Sequence, residues 1–204
     1  MTISSRAADQ KASANSGGRT CSLAPMLTRA GSAVFSSITA TSAACSRGTL
    51  HDYRLTLELK CAGLDPEAMA RRSVRPSDLS LLGLVRHLSD AERYWFRQVM
   101  AGEDAPARYR ASAGDEHDRA FSDAVADQAA VALAWENWRD EVAFAERFVD
   151  EATDLDLTKP YVGRGGHQGQ VSLREVLVHM IEEYARHIGH ADLLRERIDG
   201  RVGL

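Results

Sequence analysis

Two rhythms of apolar and polar positions divide this chain. Up to about Gly48 there is hardly any periodicity. The segment is rich in Ser, Ala, Thr and Gly, as in SSITATSAAC, and poor in the large apolar residues that offset the entropy of ordering a backbone. Residues 1–48 are therefore expected to be a disordered or weakly helical extension, and 49–204 to be the folded domain. From residue 50 the spacing becomes helical. LHDYRLTLELKCAGL reads as a first helix stopped at Gly63. A second follows RPSDLS, with Ser77 or Asp78 as cap and Leu81, Leu84, Val85, Leu88, Ala91, Trp95 and Val99 on its stripe, and ends at Gly102. A third is expected from about Ser122 to Glu151, carrying Val125, Ala129, Leu133, Trp138, Val142, Ala145 and Val149. The turn-rich TKPYVGRGGHQGQ breaks the pattern. Ser172 and Glu175 then form a capping box for a last helix that runs to about Ile198, before Gly200. With no persuasive strand between them, four helices imply an all-α bundle whose topology the pattern leaves open.

Composition narrows the class. At 204 residues, 44% apolar and 26% charged, the chain is long enough for one sizeable core. Its formal charge of −4 is spread over interleaved acids and bases, so no basic stripe suits nucleic acid or an anionic membrane. Cys21, Cys45 and Cys61 are odd in number, widely spaced and without a CxxC pair, which fits a reducing cytoplasm better than a disulfide framework. AGSAVFSSITATSAAC loosely resembles a signal peptide, but its Ser/Thr-rich centre lacks a continuous apolar run, and export is not expected.

The last helix carries the candidate chemistry. In HMIEEYARHIGHADLLRE the stripe through Leu173, Val176, Leu177, Met180, Tyr184, Ala191 and Leu194 also passes through Glu183 and His187. Four residues separate the two, about 6 Å along the axis, so both reach one point above the same face. A carboxylate in the core needs compensation. An intrahelical pair between Glu183 and His187 would supply it, as would Arg86 or Arg186, or a metal ion taking carboxylate oxygen and imidazole nitrogen together. Only the metal also accounts for the concentration of histidine. His179 and His187 lie about 12 Å apart on a straight helix, too far to share one ion, so a third ligand should come from another helix. His87, in LGLVRHLSDAE, lies on the inner side of helix two. The candidate set is His87, Glu183 and His187. His179 and His190 suit an orienting or surface role equally, and Glu182, Asp90 and Glu92 read as solvated charges. Tyr184, Trp95, Trp135 and Trp138 read as core, and His167 sits in a glycine-rich loop that could close over the site.

The segments SLLGLVRHLSDAERYWFRQVMAGED and SLREVLVHMIEEYARHIGHADLLRERIDG, with KCAGLDPEAMARRSVRPSDLSLLGL, resemble actinobacterial members of the DinB/YfiT-like metalloenzyme superfamily related to mycothiol-dependent S-transferases. The likeness covers about residue 50 to the C-terminus. It implies a four-helix bundle with up-down-down-up topology, and a divalent metal held by one histidine of helix two and two residues four apart on the last helix. Relatives usually place three histidines there, the final one in an HRGQ-like sequence. Here HIGH occupies that place: His187 matches the final ligand, and Glu183 stands where another histidine is usual.

Three protein ligands leave a coordination position open, as in catalytic zinc sites. The resemblance then implies a metal-dependent enzyme that transfers a small thiol, mycothiol, to an electrophile such as a halide, epoxide or maleyl compound. Zinc is the first choice, with nickel and iron as alternatives, since two histidines and a carboxylate also describe the non-haem iron triad. A noncatalytic metal- or small-molecule-binding bundle and a metal-dependent hydrolase are the competing readings. The expected partner is a small molecule, with a homodimer compatible.

Overall fold

A computed structural model of the protein describes residues 31–109, 119–163 and 166–203, with side chains from residue 45 onward. The described chain is mostly helical. Helix α1 spans Gly31–Cys61 and short α2 Pro66–Ala70. Helix α3, Leu81–Glu92, continues as a π-helical segment, Arg93–Met100. Short α4 is Arg119–Ser122 and long α5 Gln128–Glu151. Strands β1, Thr158–Val162, and β2, Gln168–Ser172, form an antiparallel hairpin that leads directly into α6, Leu173–Asp199.

Local chemistry sets these ends. Ser80 caps α3 by accepting from the Gly83 N–H, Asp127 caps α5 by accepting from Ala130, and Ser172 with Glu175 closes the expected capping box on α6. Gly63 and Gly200 stop α1 and α6 with positive φ, 75° and 78°, a conformation that costs glycine little. At the end of α1, the buried Arg195 of α6 donates to the Lys60 and Ala62 carbonyls at 2.8 and 2.9 Å, satisfying two groups that the helix leaves without partners.

Packing follows from the stripes. Helix α1 lies mainly against α6 and α3 mainly against α5, while α3 and α6 also touch. The core comprises Leu50 and Leu57 of α1, Leu81, Leu84 and Leu88 of α3, Phe96 of the π-helical segment, Ala134 and Trp138 of α5, and Leu173, Met180 and Tyr184 of α6. Each large side chain fully buried there contributes about 1.5–3 kcal/mol. No helix among the described residues is long and apolar enough to cross a membrane.

Several sequence expectations are corrected. Helix α1 begins at Gly31, well ahead of residue 50; residues 1–30 lie outside the described residues. The cap of α3 is Ser80, not Ser77 or Asp78, because extended backbone persists to that residue. The third helix starts at Gln128, after the separate turn of α4. TKPYVGRGGHQGQ forms a hairpin where no strand was expected: its alternation, with Lys159 and Tyr161 half-buried between exposed neighbours, was masked by turn residues. On α5 the buried stripe is Ala134, Asn137, Trp138, Glu141, Ala145 and Val149, while Leu133 is exposed, as is Val125 in the connection before the helix. Asp90 and Glu92 are buried, not solvated.

Candidate metal centre

His87 projects from the middle of α3 toward α6, where Glu183 and His187 stand one turn apart. Both histidines are 7% exposed, and the Glu183 side chain is 13% exposed. His87 Nε2 lies 2.9 Å from Glu183 Oε1, and His187 Nε2 lies 3.3 Å from the same oxygen. The two imidazole rings meet edge to face at 4.7 Å, and the ring of Phe121 on α4 covers His87 at 5.4 Å. Arg186, largely exposed, donates to the second Glu183 oxygen at 3.0 Å. Hydrogen bonds to His187 and then His87 hold the Glu183 carboxyl far below the usual carboxylate range, against the opposing effect of burial.

The donor set suits a divalent cation. One nitrogen from each histidine and one carboxylate oxygen all lie within 4.8 Å of one another. Donors about 2.0–2.2 Å from a tetrahedral ion sit roughly 3.4 Å apart, so a small outward adjustment of the two hydrogen-bonded contacts would admit one. Neutral imidazole offers Nε2 to such an ion only if its proton is on Nδ1. The Nδ1 of His187 lies 3.3 Å from Nδ1 of His190, which can accept that proton's hydrogen bond and fix the ring. Burial, followed by the nearby His187 and Arg186, lowers the pKa of His190 and so favours the neutral, accepting form.

A buried network supports the donors from behind. Glu92, five residues after His87, is fully buried and accepts from Arg54 Nε and Nη2 at 2.8 Å each. It also accepts from the Tyr184 hydroxyl at 2.8 Å, and that hydroxyl in turn accepts from Trp138 Nε1 at 2.9 Å. Burial and the Glu92 charge push the Tyr184 phenol well above its ordinary pKa, so it stays a donor. Because Tyr184 is adjacent to Glu183, this network, drawn from α1, α3, α5 and α6, fixes the rotation of α6 that turns Glu183 toward His87.

The other candidates fall elsewhere. His179 packs against Trp95, ring centres 4.8 Å apart and planes tilted by 58°, one turn from Glu183. Arg86 lies over the Tyr109 ring at 4.5 Å and donates to the Arg119 carbonyl, so the arginine beside Glu183 is Arg186. His167 is exposed on the hairpin loop, and Glu182 is exposed. Trp138 is core, and the Tyr184 hydroxyl is committed to Glu92. Cys61 is buried and its thiol is pushed up to about 12, chiefly by that burial, which makes it inert at neutral pH.

A family model described as mycothiol-S-transferase matches residues 46–200. The chain belongs to the mycothiol-S-transferase family. That match takes in both helices that carry the donors. Among solved structures, the crystal structure of a conserved protein from Enterococcus faecalis is similar, with a TM-score of 0.53 and 17% identity over 77% of this chain and 96% of that one. At that identity the likeness concerns the fold alone. No curated protein matches the chain significantly.

Sequence reading missed Arg54, Glu92 and Glu141 as buried charges, although the signal was present. Leu50, Arg54, Leu57 and Cys61 keep helical spacing, as do Leu88, Glu92, Phe96 and Val99, and Ala134, Trp138, Glu141 and Ala145. The criterion that singled out Glu183 applies equally to each. The contact between His190 and His187 was legible only as a spacing of three residues.

Proposed function

We propose that this protein is a metal-dependent enzyme transferring a low-molecular-weight thiol, mycothiol, to a small electrophile. The observation that supports it is the convergence of His87, Glu183 and His187 from two helices within 4.8 Å, inside a chain of the mycothiol-S-transferase family. In this reading the chain is a four-helix bundle of the DinB type with up-down-down-up topology, works in a reducing cytoplasm and has a small-molecule partner. These three residues would hold the ion, with zinc the first choice ahead of nickel and iron. A divalent ion, when bound there, lowers the pKa of a coordinated thiol and makes it nucleophilic at neutral pH.

The chain's own groups supply the rest. His190 orients His187, Arg186 neutralises the outer oxygen of Glu183, and Phe121 shields His87 from water on one side. The Cys61 thiol, buried and inert, is not the nucleophile, and in this reading the sulfur comes from a cosubstrate. Sulfur–carbon bond formation then accompanies loss of a halide, or opening of an epoxide whose oxygen takes the thiol proton.

The hydrogen bonds of both histidines to Glu183 favour a second reading, in which the cluster is a structural ion pair in a noncatalytic bundle. Metal analysis of protein purified without an affinity tag separates the two. About one divalent ion per chain, lost in His87→Ala and His187→Ala, is expected. Metal-free wild type would leave only the structural pair. Bound metal with no conjugation of mycothiol to a panel of halides, epoxides and maleyl compounds would remove the transferase and keep the metal site.

A further inference from the structure

Helix α6 meets α3 and its π-helical continuation at two successive levels. At one, Glu183 faces His87; one turn earlier, about 6 Å along the axis, His179 packs against Trp95 with ring centres 4.8 Å apart. His179, Glu183 and His187 are spaced four residues apart, so their side chains follow one face of α6, and His179 shares the seam that holds the donors. Trp95 is braced in turn by Tyr94 and Tyr161, at 5.0 and 5.6 Å. The His179 ring therefore rests on a fixed surface.

Its nitrogens differ from those of the neighbouring histidines. His87 and His187 each place a ring nitrogen against Glu183, and His190 places Nδ1 against His187. Among the described residues neither ring nitrogen of His179 has a hydrogen-bond partner, and in its half-buried position neither is sealed from water. Packing on Trp95 would be served as well by a phenyl ring. An imidazole adds the capacity to take up and release a proton near neutral pH.

The electrophiles differ in their need for that proton. When sulfur displaces a halide, the carbon–halogen bond breaks with its electron pair and the halide leaves as an anion. When sulfur opens an epoxide, the electron pair of the broken C–O bond stays on an oxygen that must gain a proton. We infer that His179 is the proton carrier of this reaction. Its imidazole takes the proton released as the cosubstrate's thiol ionises and donates it to the epoxide oxygen as the sulfur–carbon bond forms, which leaves a neutral hydroxy thioether and returns His179 to its starting state. The role rests on the thiol-transfer reading; the accessible imidazole beside the donors rests on the geometry alone.

Two measurements on the full-length protein test it. In metal-free protein, diethylpyrocarbonate should acylate His179 faster than the enclosed His87 and His187, mapped by peptide mass spectrometry; a His179 that labels no faster overturns the assignment. In His179→Phe, which keeps a ring against Trp95, and in His179→Gln, the ratio of epoxide to halide kcat/KM is expected to fall about 100-fold, at wild-type metal content. An equal loss toward both electrophiles, no loss, or loss of the metal from both variants overturns the role, as does a wild type that conjugates halides and no epoxide. A wild type that labels at His179 but conjugates no thiol to any electrophile removes the transferase reading and this role with it, whereas turnover with an unchanged ratio removes His179 alone.

Discussion

His190 and Gly83 show how single residues support the donor set. His190 has no place among the three donors, yet its Nδ1 faces Nδ1 of His187 at 3.3 Å. Replacing it by Phe keeps the bulk and removes the acceptor. The expected result is divalent-ion affinity about 10–100-fold weaker, measured by competition with a chromophoric chelator, with unchanged helicity. Gly83, in the first turn of α3, is required for a different reason. A Cβ there would sit 2.5 Å from Phe121 Cδ1 and 3.2 Å from its Cα, so the ring that covers His87 would have to move together with its backbone. Gly83→Ala is expected to destabilise the fold by about 1–3 kcal/mol in urea denaturation, despite the better helix propensity of alanine.

Among the elements, α6 depends on its neighbours for its rotation. Its apolar stripe specifies which face is inward only to within the width of that stripe, whereas the hydrogen bond from Tyr184 to Glu92 specifies it closely. Arg54 and Glu92 have side chains 6% and 0% exposed, so removing one partner strands the other in a medium that cannot solvate it. Arg54→Met is expected to cost about 3–5 kcal/mol, read as a lower urea midpoint. Tyr184→Phe should cost less, about 1–3 kcal/mol, because Glu92 keeps its arginine and loses one hydroxyl.

For the molecule as a whole, acid is the informative perturbant. Glu141 of α5 is fully buried and accepts from Arg93 at 2.7 Å, Arg97 at 2.5 Å and Arg108 at 3.0 Å, which ties α5 to the π-helical segment and to the connection after it. Burial alone would raise its pKa; hydrogen bonds from Arg97, Arg108 and Arg93 outweigh it and bring the carboxyl below its ordinary 4.5. A folded-state pKa lowered in this way contributes stability that is fully present above 4.5 and lost as pH falls through the folded value. Urea midpoints measured from about pH 6 to about pH 3 should therefore fall more steeply for wild type than for Glu141→Gln, which starts less stable at neutral pH. By itself the sequence determined the long helices, the capping box at Ser172 and Glu175, and His87, Glu183 and His187 as the three residues to bring together, because periodicity and capping are local properties of a chain. It marked Arg54, Glu92 and Glu141 by spacing but not by partner. Only the tertiary structure decided that Arg86 turns to Tyr109 and the Arg119 carbonyl and leaves Glu183 to Arg186, that His87 Nε2 comes within 2.9 Å of Glu183, and that a glycine-rich stretch becomes a hairpin joined to the π-helical segment through Tyr94. The meeting of His87 with Glu183 depends on the rotation and crossing of helices nearly a hundred residues apart, which packing and buried hydrogen bonds set together.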